Sequence, residues 1–449
     1  MKRPLTTAAV IGTLLLGTLA TEAADTAEKS WPAWRGPDAN GVSETGTPPV
    51  QWSETENIHW KIEIPGKGHA SPVVWGNMII VLTAVEGEIK DGVEEAKAAE
   101  NKLPMWRKMM GKAPGSSYRF VVMAIDRTTG KVIWEKTVRE EVPHEGIHND
   151  GSWASNSPVT DGERIYAYFG SRGLYCLDMS GKIIWQKEFG RMSTKMAFGE
   201  GSSPALSGNR LIVVWDHEGK SFITALEKAT GKELWRSDRD EKTSWATPAV
   251  INVNGREEII ASATKRIRSY DPASGALIWE CAGMTANVIP TPVYYNGIIY
   301  AASGFQGNAL LAIRPDNAKG DISDSAAIIW KHAQDTPYVP SILLYADNVW
   351  FLKGNDATLS VLNAKTGAPV ISGHKLSGLK GVYASPVAAA GYVYITGRNG
   401  VTAVIKASEP GAVVAENVLN DQFSASAAIV DKEIILRGFK YLYDIALPR

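Results

Sequence analysis

Only two cysteines occur in the 449 residues, Cys176 and Cys281. No spacing rule requires them to pair, and two small buried apolar thiols are the simpler reading. No Cys-x-x-Cys-His run offers a haem attachment site. No Gly-x-x-x-x-Gly-Lys-Ser/Thr loop is present to cradle phosphates, and no Gly-x-Ser-x-Gly turn to expose a nucleophilic serine. Excess charge is also missing: 47 Lys and Arg stand against 48 Asp and Glu, a net charge of −1. That balance gives no electrostatic footprint for nucleic acid. Long apolar runs are confined to the start, so no transmembrane span is expected. There Lys2 and Arg3 precede an apolar stretch over 8–20, followed by small residues at Ala20, Ala23 and Ala24. Such a segment reads as a removable secretory signal over 1–24, and hence as export to the periplasm or the medium. No cysteine lies near it to carry a lipid.

What the chain does have is repetition, with 42 glycines and 15 tryptophans. Residues 124–134 follow the pattern Ala-x-Asp-x-x-Thr-Gly-x-x-x-Trp, and 225–235 and 269–279 follow it closely. A copy one residue shorter spans 176–185, and in 361–371 the tryptophan has become Ile371. The pattern reads as a strand, a tight turn and a second strand closed by tryptophan. A second signature is Ser or Thr before Pro, followed by an apolar strand: Ser71, Ser157, Ser203, Thr247, Thr291 and Ser385, with degenerate copies at Pro340-Ser341 and at Ser426. After a first gap of 86 residues these eight copies recur every 41 to 49 residues. A unit of that period means a repeat architecture. Each unit supplies about four short strands, labelled A to D, and proline is tolerated early in strand A because a strand start need not donate a ladder bond.

Eight such units predict an all-β, eight-bladed β-propeller with four-stranded blades. The last unit lacks its fourth strand. Residues 57–64 alternate apolar and polar side chains and carry Trp60 without a preceding unit, so this segment is expected to complete the last blade and close the ring. The expected organisation is a signal over 1–24, an extension over 25–56 packed on the propeller, and one propeller domain over 57–449. The long first gap reflects a helix-prone insertion over 84–117 in blade 1. It is expected to decorate that blade's surface, with a lid or partner-binding arm as the alternative.

In a propeller the B–C and D–A loops share one face. Here that face gathers His69, His144, His148, Asp150, Trp153, Arg172, Asp216, His217, Glu218, Trp245, Lys265, Arg266, Asn287, Tyr338, Lys353, Tyr383, Arg398 and Arg437. A polar, aromatic and basic funnel at a channel mouth is the expected binding site, suited to an anionic small molecule or polysaccharide. His144-Glu145-Gly146-Ile147-His148 has the zinc-protease spacing. That chemistry needs a helix, and Pro143, Gly146 and Gly151 make this a loop. A loop metal site using His144, His148 and Asp150 is the remaining metal reading, though spacing alone does not establish it. The turns of the tryptophan repeat fall on the opposite face. Trp60, Trp134, Trp185, Trp235, Trp279 and Trp330 recur round the ring, which marks them as packing residues.

The repeat resembles that of pyrroloquinoline-quinone (PQQ) dehydrogenases and of BamB-like assembly propellers, over Trp31 to about Ala446. Trp34-Arg35-Gly36-Pro37, Trp215-Asp216-His217-Glu218-Gly219, Asn287 to Pro292 and Thr336 to Pro340 are similar to motifs of exported PQQ-like propellers. The resemblance implies that the tryptophan of one blade packs between blades and that the turn locks the strand C–D corner. It does not carry over the dehydrogenases' adjacent cysteine pair, and no calcium-ligand set maps onto this chain. The expected function is therefore a non-catalytic, monomeric binding or scaffold protein for a protein or polysaccharide of the cell envelope, with no cofactor. The alternative is a divergent quinoprotein, with PQQ and calcium, whose quinone carboxylates meet Arg172, Lys353, Arg398 and Arg437. A third reading is a polysaccharide-active enzyme using His217 and an acidic neighbour.

Overall fold

The protein is represented by a computed structural model, which describes residues 30–88, 93–94, 98, 101–102, 104–106 and 111–448. The expected signal segment and much of the blade 1 insertion lie outside the described residues. Eight antiparallel sheets follow one another along the chain, at 73–141, 159–187, 205–239, 249–282, 293–332, 343–375, 387–418 and 428–446. This is the eight-bladed propeller that the repeats specify. In blade 3, Arg210–Trp215 and Ser221–Glu227 are mostly apolar and almost wholly buried, whereas Glu233–Arg239 alternates between half-buried and exposed residues. The middle strands of a blade are covered by neighbouring blades on both faces. The outer strand meets solvent at its edge, and its period-two pattern records that.

The final blade has three strands from the end of the chain, Ala428–Val430, Glu433–Arg437 and Tyr441–Ala446. Its outer strand is Ile58–Glu63, paired antiparallel with Tyr441–Ala446. Both cysteines are buried and unpaired.

Two belts tie the blades together. The first uses the tryptophan repeat. The Trp134 indole N–H donates to the Met179 carbonyl (2.9 Å), Trp185 to Lys228 (3.1 Å), Trp235 to Pro272 (2.8 Å), Trp330 to Ala364 (2.9 Å) and Trp60 to Arg127 (2.7 Å). Each acceptor belongs to the strand C–D turn of the next blade. The turn glycine lies against the same ring: Gly130, Gly181, Gly231, Gly275 and Gly367 all have positive φ and no room for a Cβ beneath it. Glycine is needed there on both counts. Trp279 departs from the rule. It is fully buried and donates to Glu258 Oε2 within its own blade (3.0 Å). Blade 5 has no Thr-Gly turn to receive it, and instead Gly320–Asp321 pairs with residues 279–280.

The second belt uses the Ser/Thr signature. The backbone N–H of Ser71 donates to Ser157 Oγ, Ser157 to Ser203, and Ser203 to Thr247 Oγ1. Thr291 donates to Ser341, Ser341 to Ser385, Ser385 to Ser426, and Ser426 back to Ser71. Between Thr247 and Thr291 the sense changes, and the Thr291 hydroxyl donates to the Thr247 carbonyl (2.7 Å). Each serine thus satisfies a buried N–H of the preceding blade, which would otherwise cost a lost hydrogen bond.

The segment before the first blade crosses the central channel. Trp31 exchanges backbone hydrogen bonds with Val74 of blade 1, and the Pro32 carbonyl accepts from Thr160 of blade 2. Three residues later the Arg35 guanidinium donates to the carbonyls of Ile342 and Asn40 (2.7 and 2.6 Å) on the far side of the ring. Arg35 is fully buried, and desolvation pushes its pKa down to about 9. Val42–Ser43 then adds a parallel strand to blade 7.

Candidate functional site

A cavity of about 700 Å³ occupies the funnel at the head of the A strands. Its throat is the serine belt, and Trp34, carried by the crossing segment, reaches it from the opposite end. Aromatic side chains stand in its walls: Phe198, Trp245, Phe305, Tyr338 and Tyr383. Phe305 and Tyr338 stack with centroids 4.9 Å apart. The Trp245 indole N–H donates to the Gly199 carbonyl (2.7 Å), which fixes the ring against the wall. Trp106 of the insertion also lines the cavity, and Gly111–Lys112 pairs with Ile147–His148. The insertion thus reaches the funnel rim.

Of the residues anticipated from sequence, His69, His148, Asp150, Trp245, Asn287, Tyr338 and Tyr383 line this cavity. His69 stacks on Phe439 at 5.0 Å, and its Nε2 has no hydrogen-bond partner among the described residues. Burial first, then the positive charges of Lys67, Arg398 and Arg437, push its pKa down to about 3. Asp150 accepts from Arg398 (2.7 Å) and from the Tyr383 hydroxyl (3.0 Å). Although burial opposes it, these two partners hold the Asp150 carboxyl below its usual range.

The other anticipated residues do not line it. His144 turns away, its Nε2 on the Met192 carbonyl (2.7 Å). Glu145 accepts from the Thr194 N–H and hydroxyl, so the His-Glu-x-x-His stretch is a hydrogen-bonded loop. His144, His148 and Asp150 do not gather three ligand atoms, because His144 and Asp150 point to separate partners. Trp153 is buried beside Tyr118 (4.3 Å). Arg172 is buried on Glu200 (2.8 Å). Asp216 forms a fully buried bidentate pair with Arg239, at 2.8 and 3.0 Å, and also accepts from the Ser244 hydroxyl. His217 accepts the Ser193 and Gly219 N–H groups at Nδ1, so its proton is on Nε2, facing the Lys220 carbonyl. Glu218 accepts from the Thr243 hydroxyl. Lys265 is exposed at a turn tip. Arg266 is held by Asp321 and Glu280, and Lys353 by Asp335. Arg437 is buried with no acceptor among the described residues on its three side-chain nitrogens, and desolvation pushes its pKa down to about 10.

The basic ring read from the loops is thus mostly neutralised. Asp216 and His217 are structural parts, and among the described residues lining the cavity Lys195 is the one lysine or arginine. Sequence reasoning missed Trp34, Phe198 and Phe305. Trp34 was visible in an aromatic extension, but nothing local says that the extension crosses the axis.

A family model described as outer membrane protein assembly factor BamB matches residues 119–372 and 223–437. The chain belongs to this family. BamB of Yersinia pestis is 21% identical over 338 residues, covering 71% of this chain and 77% of that protein. A 106-residue stretch is 37% identical to ER membrane protein complex subunit 1 of Xenopus laevis, but spans only 10% of that protein. Among solved structures, BamB of Moraxella catarrhalis superposes with a TM-score of 0.54 at 16% identity, covering 75% of this chain and 90% of that one. That likeness is one of fold.

The repeat's resemblance to that of PQQ dehydrogenases raises PQQ with calcium. The lining residues fit that pair poorly. A tricarboxylate needs several cations facing it, and calcium needs a group of available oxygen ligands. Among the described lining residues Lys195 is the one lysine or arginine, Asp150 is engaged by Arg398 and Tyr383, and Glu200 by Ser171 and Arg172.

Proposed function

We propose that the chain is an exported, non-catalytic scaffold that holds a protein partner of the cell envelope at its funnel. The observation that carries this reading is the aromatic socket. Trp34, Phe198, Trp245, Phe305, Tyr338 and Tyr383 come from separate blades and from the crossing segment, yet they share one cavity. Aromatic walls around a concave pocket can seat a partner's anchoring side chains. The neutralised rim favours such an anchor over a sulfated or carboxylated polysaccharide. The two carboxylates among the described lining residues, Asp150 and Glu200, are each paired with an arginine. The BamB relatives are named as assembly factors, which accords with a scaffold role and with a place in the envelope.

The test is site-specific photocrosslinking in the native envelope. A photoreactive residue at Trp245 or Tyr338 should yield a discrete protein adduct, and one at the exposed outer-strand position Leu234 should not. Equal adducts from Leu234, or none from either funnel position, would overturn the reading. So would substrate turnover by the purified protein.

A further inference from the structure

Each blade's outer strand carries a β-bulge that leaves one residue unpaired just before the tryptophan position, and the eight copies can be compared within the molecule. The bulged residue is Ile133, Ile184, Leu234, Ile278, Ile329, Val370 or Val414 in blades 1 to 7. In the closing blade it is His59. The facing strand C position is small or apolar elsewhere: Ala124, Cys176, Ala225, Ser269, Ala312, Val361 or Val404. In the closing blade it is Asp444, wholly buried. Glu433, buried at the start of strand B, completes the group. Only this blade combines a histidine and two carboxylates at these positions.

Their geometry is compact. One ligand atom from each of His59, Glu433 and Asp444 lies within 4.8 Å of the others. His59 Nδ1 is 2.8 Å from Asp444 Oδ2. The second oxygen, Asp444 Oδ1, is buried without a hydrogen-bond partner among the described residues. A buried carboxylate oxygen left unpaired is costly, so the cluster is incomplete as it stands. Arg127 of blade 1 donates to Glu433 Oε2 (2.5 Å), which orients that carboxylate from outside the group. His59 is partly exposed, giving an ion a way in from solvent.

We propose that His59, Glu433 and Asp444 form a site for a divalent transition metal that staples the ring closure. One imidazole with two carboxylates suits zinc or its neighbours, with water completing the shell, rather than magnesium. His59 lies on the strand before blade 1, and Asp444 and Glu433 on the last two strands of the chain. A bound ion would therefore cross-link the two ends of the propeller and stabilise the folded ring by mass action.

Calorimetric titration of the untagged, metal-stripped protein with zinc decides this, with cobalt absorption as a second probe and magnesium as the comparison. The expected result is one zinc per chain, a ligand-field cobalt spectrum, and no comparable magnesium binding. With zinc at 100 times its Kd, Tm should rise by roughly 3 °C. His59→Val, the residue type of the other blades, should remain folded by near-UV circular dichroism. It should lose more affinity than the roughly 100-fold that removing an outer-shell partner can cost. No heat and no Tm shift at millimolar zinc would overturn the proposal. So would equal binding by a folded His59→Val protein.

Discussion

The backbone N–H of Ser426 donates to Ser71 Oγ at 2.9 Å across 355 residues of chain. This bond joins the last blade to the first in the same way that other blades are joined, so the serine belt passes through the closure without a break. Ser71→Ala would leave the buried Ser426 N–H without an acceptor. The expected cost is about 1–3 kcal/mol. A denaturant midpoint unchanged from wild type would show that water replaces the hydroxyl and that the belt adds no stability.

Trp235 and Gly275 form one joint of the outer belt. A Cβ at Gly275 would lie 2.4 Å from Trp235 Cε3, where φ is +72°. Trp235 is only half-buried, so Trp235→Ala should cost about 3 kcal/mol, the low end for a large aromatic. Gly275→Ala should also destabilise, through the clash and through the strained backbone. The double variant should be more stable than the sum implies, by about 1 kcal/mol, because the clash partner is gone. Strict additivity in a thermodynamic cycle would refute the contact.

Asp216 belongs to a buried network rather than to the funnel wall. Asp216→Asn keeps the shape but removes the paired charge from Arg239, which also donates to the Tyr270 hydroxyl (2.7 Å). Breaking a buried pair from one side should cost about 3–5 kcal/mol. Equilibrium unfolding measures it, and a loss under about 1 kcal/mol would argue for water reaching the pair.

His69 makes the fold acid-sensitive. Its folded-state pKa is pushed down to about 3, below the 6.5 of the free side chain. Between those values the unfolded chain binds the extra proton, so stability rises with pH there. The contribution is complete above about pH 6.5 and is lost as pH falls toward 3. Asp444 runs the other way, since burial and nearby Glu433 raise its pKa to about 6, favouring the fold at lower pH. His69→Gln isolates the first effect. Its Tm should fall less than that of the wild type between pH 7 and pH 4, and parallel profiles would remove His69 from the account.

The sequence displays the ring plainly because its physics is local and repeated. The Ser/Thr-Pro signature marks each strand A, and the Asp-x-x-Thr-Gly turn marks each C–D corner. At residues 126–130 the turn is even held by its own side chains, with Asp126 accepting from the Thr129 N–H and hydroxyl. The site is less legible because its chemistry depends on partners far apart in the chain. Arg398 reads as a free cation until Asp150, 248 residues away, is seen beside it. Arg172 is cancelled by Glu200, and Asp216 by Arg239. Trp34 shows the opposite failure: its side chain is obvious, but its position is set by backbone bonds to blades 1 and 2 and by Arg35 reaching across the ring.

That crossing segment has a consequence for traffic. The segment lies across the axis with Trp34 at the inner end of the socket, so a polymer threading the ring would have to displace it. A terminus or a doubled-back loop that enters from the funnel face avoids that cost. Whatever enters and leaves by that face passes Trp106, which lines the same cavity.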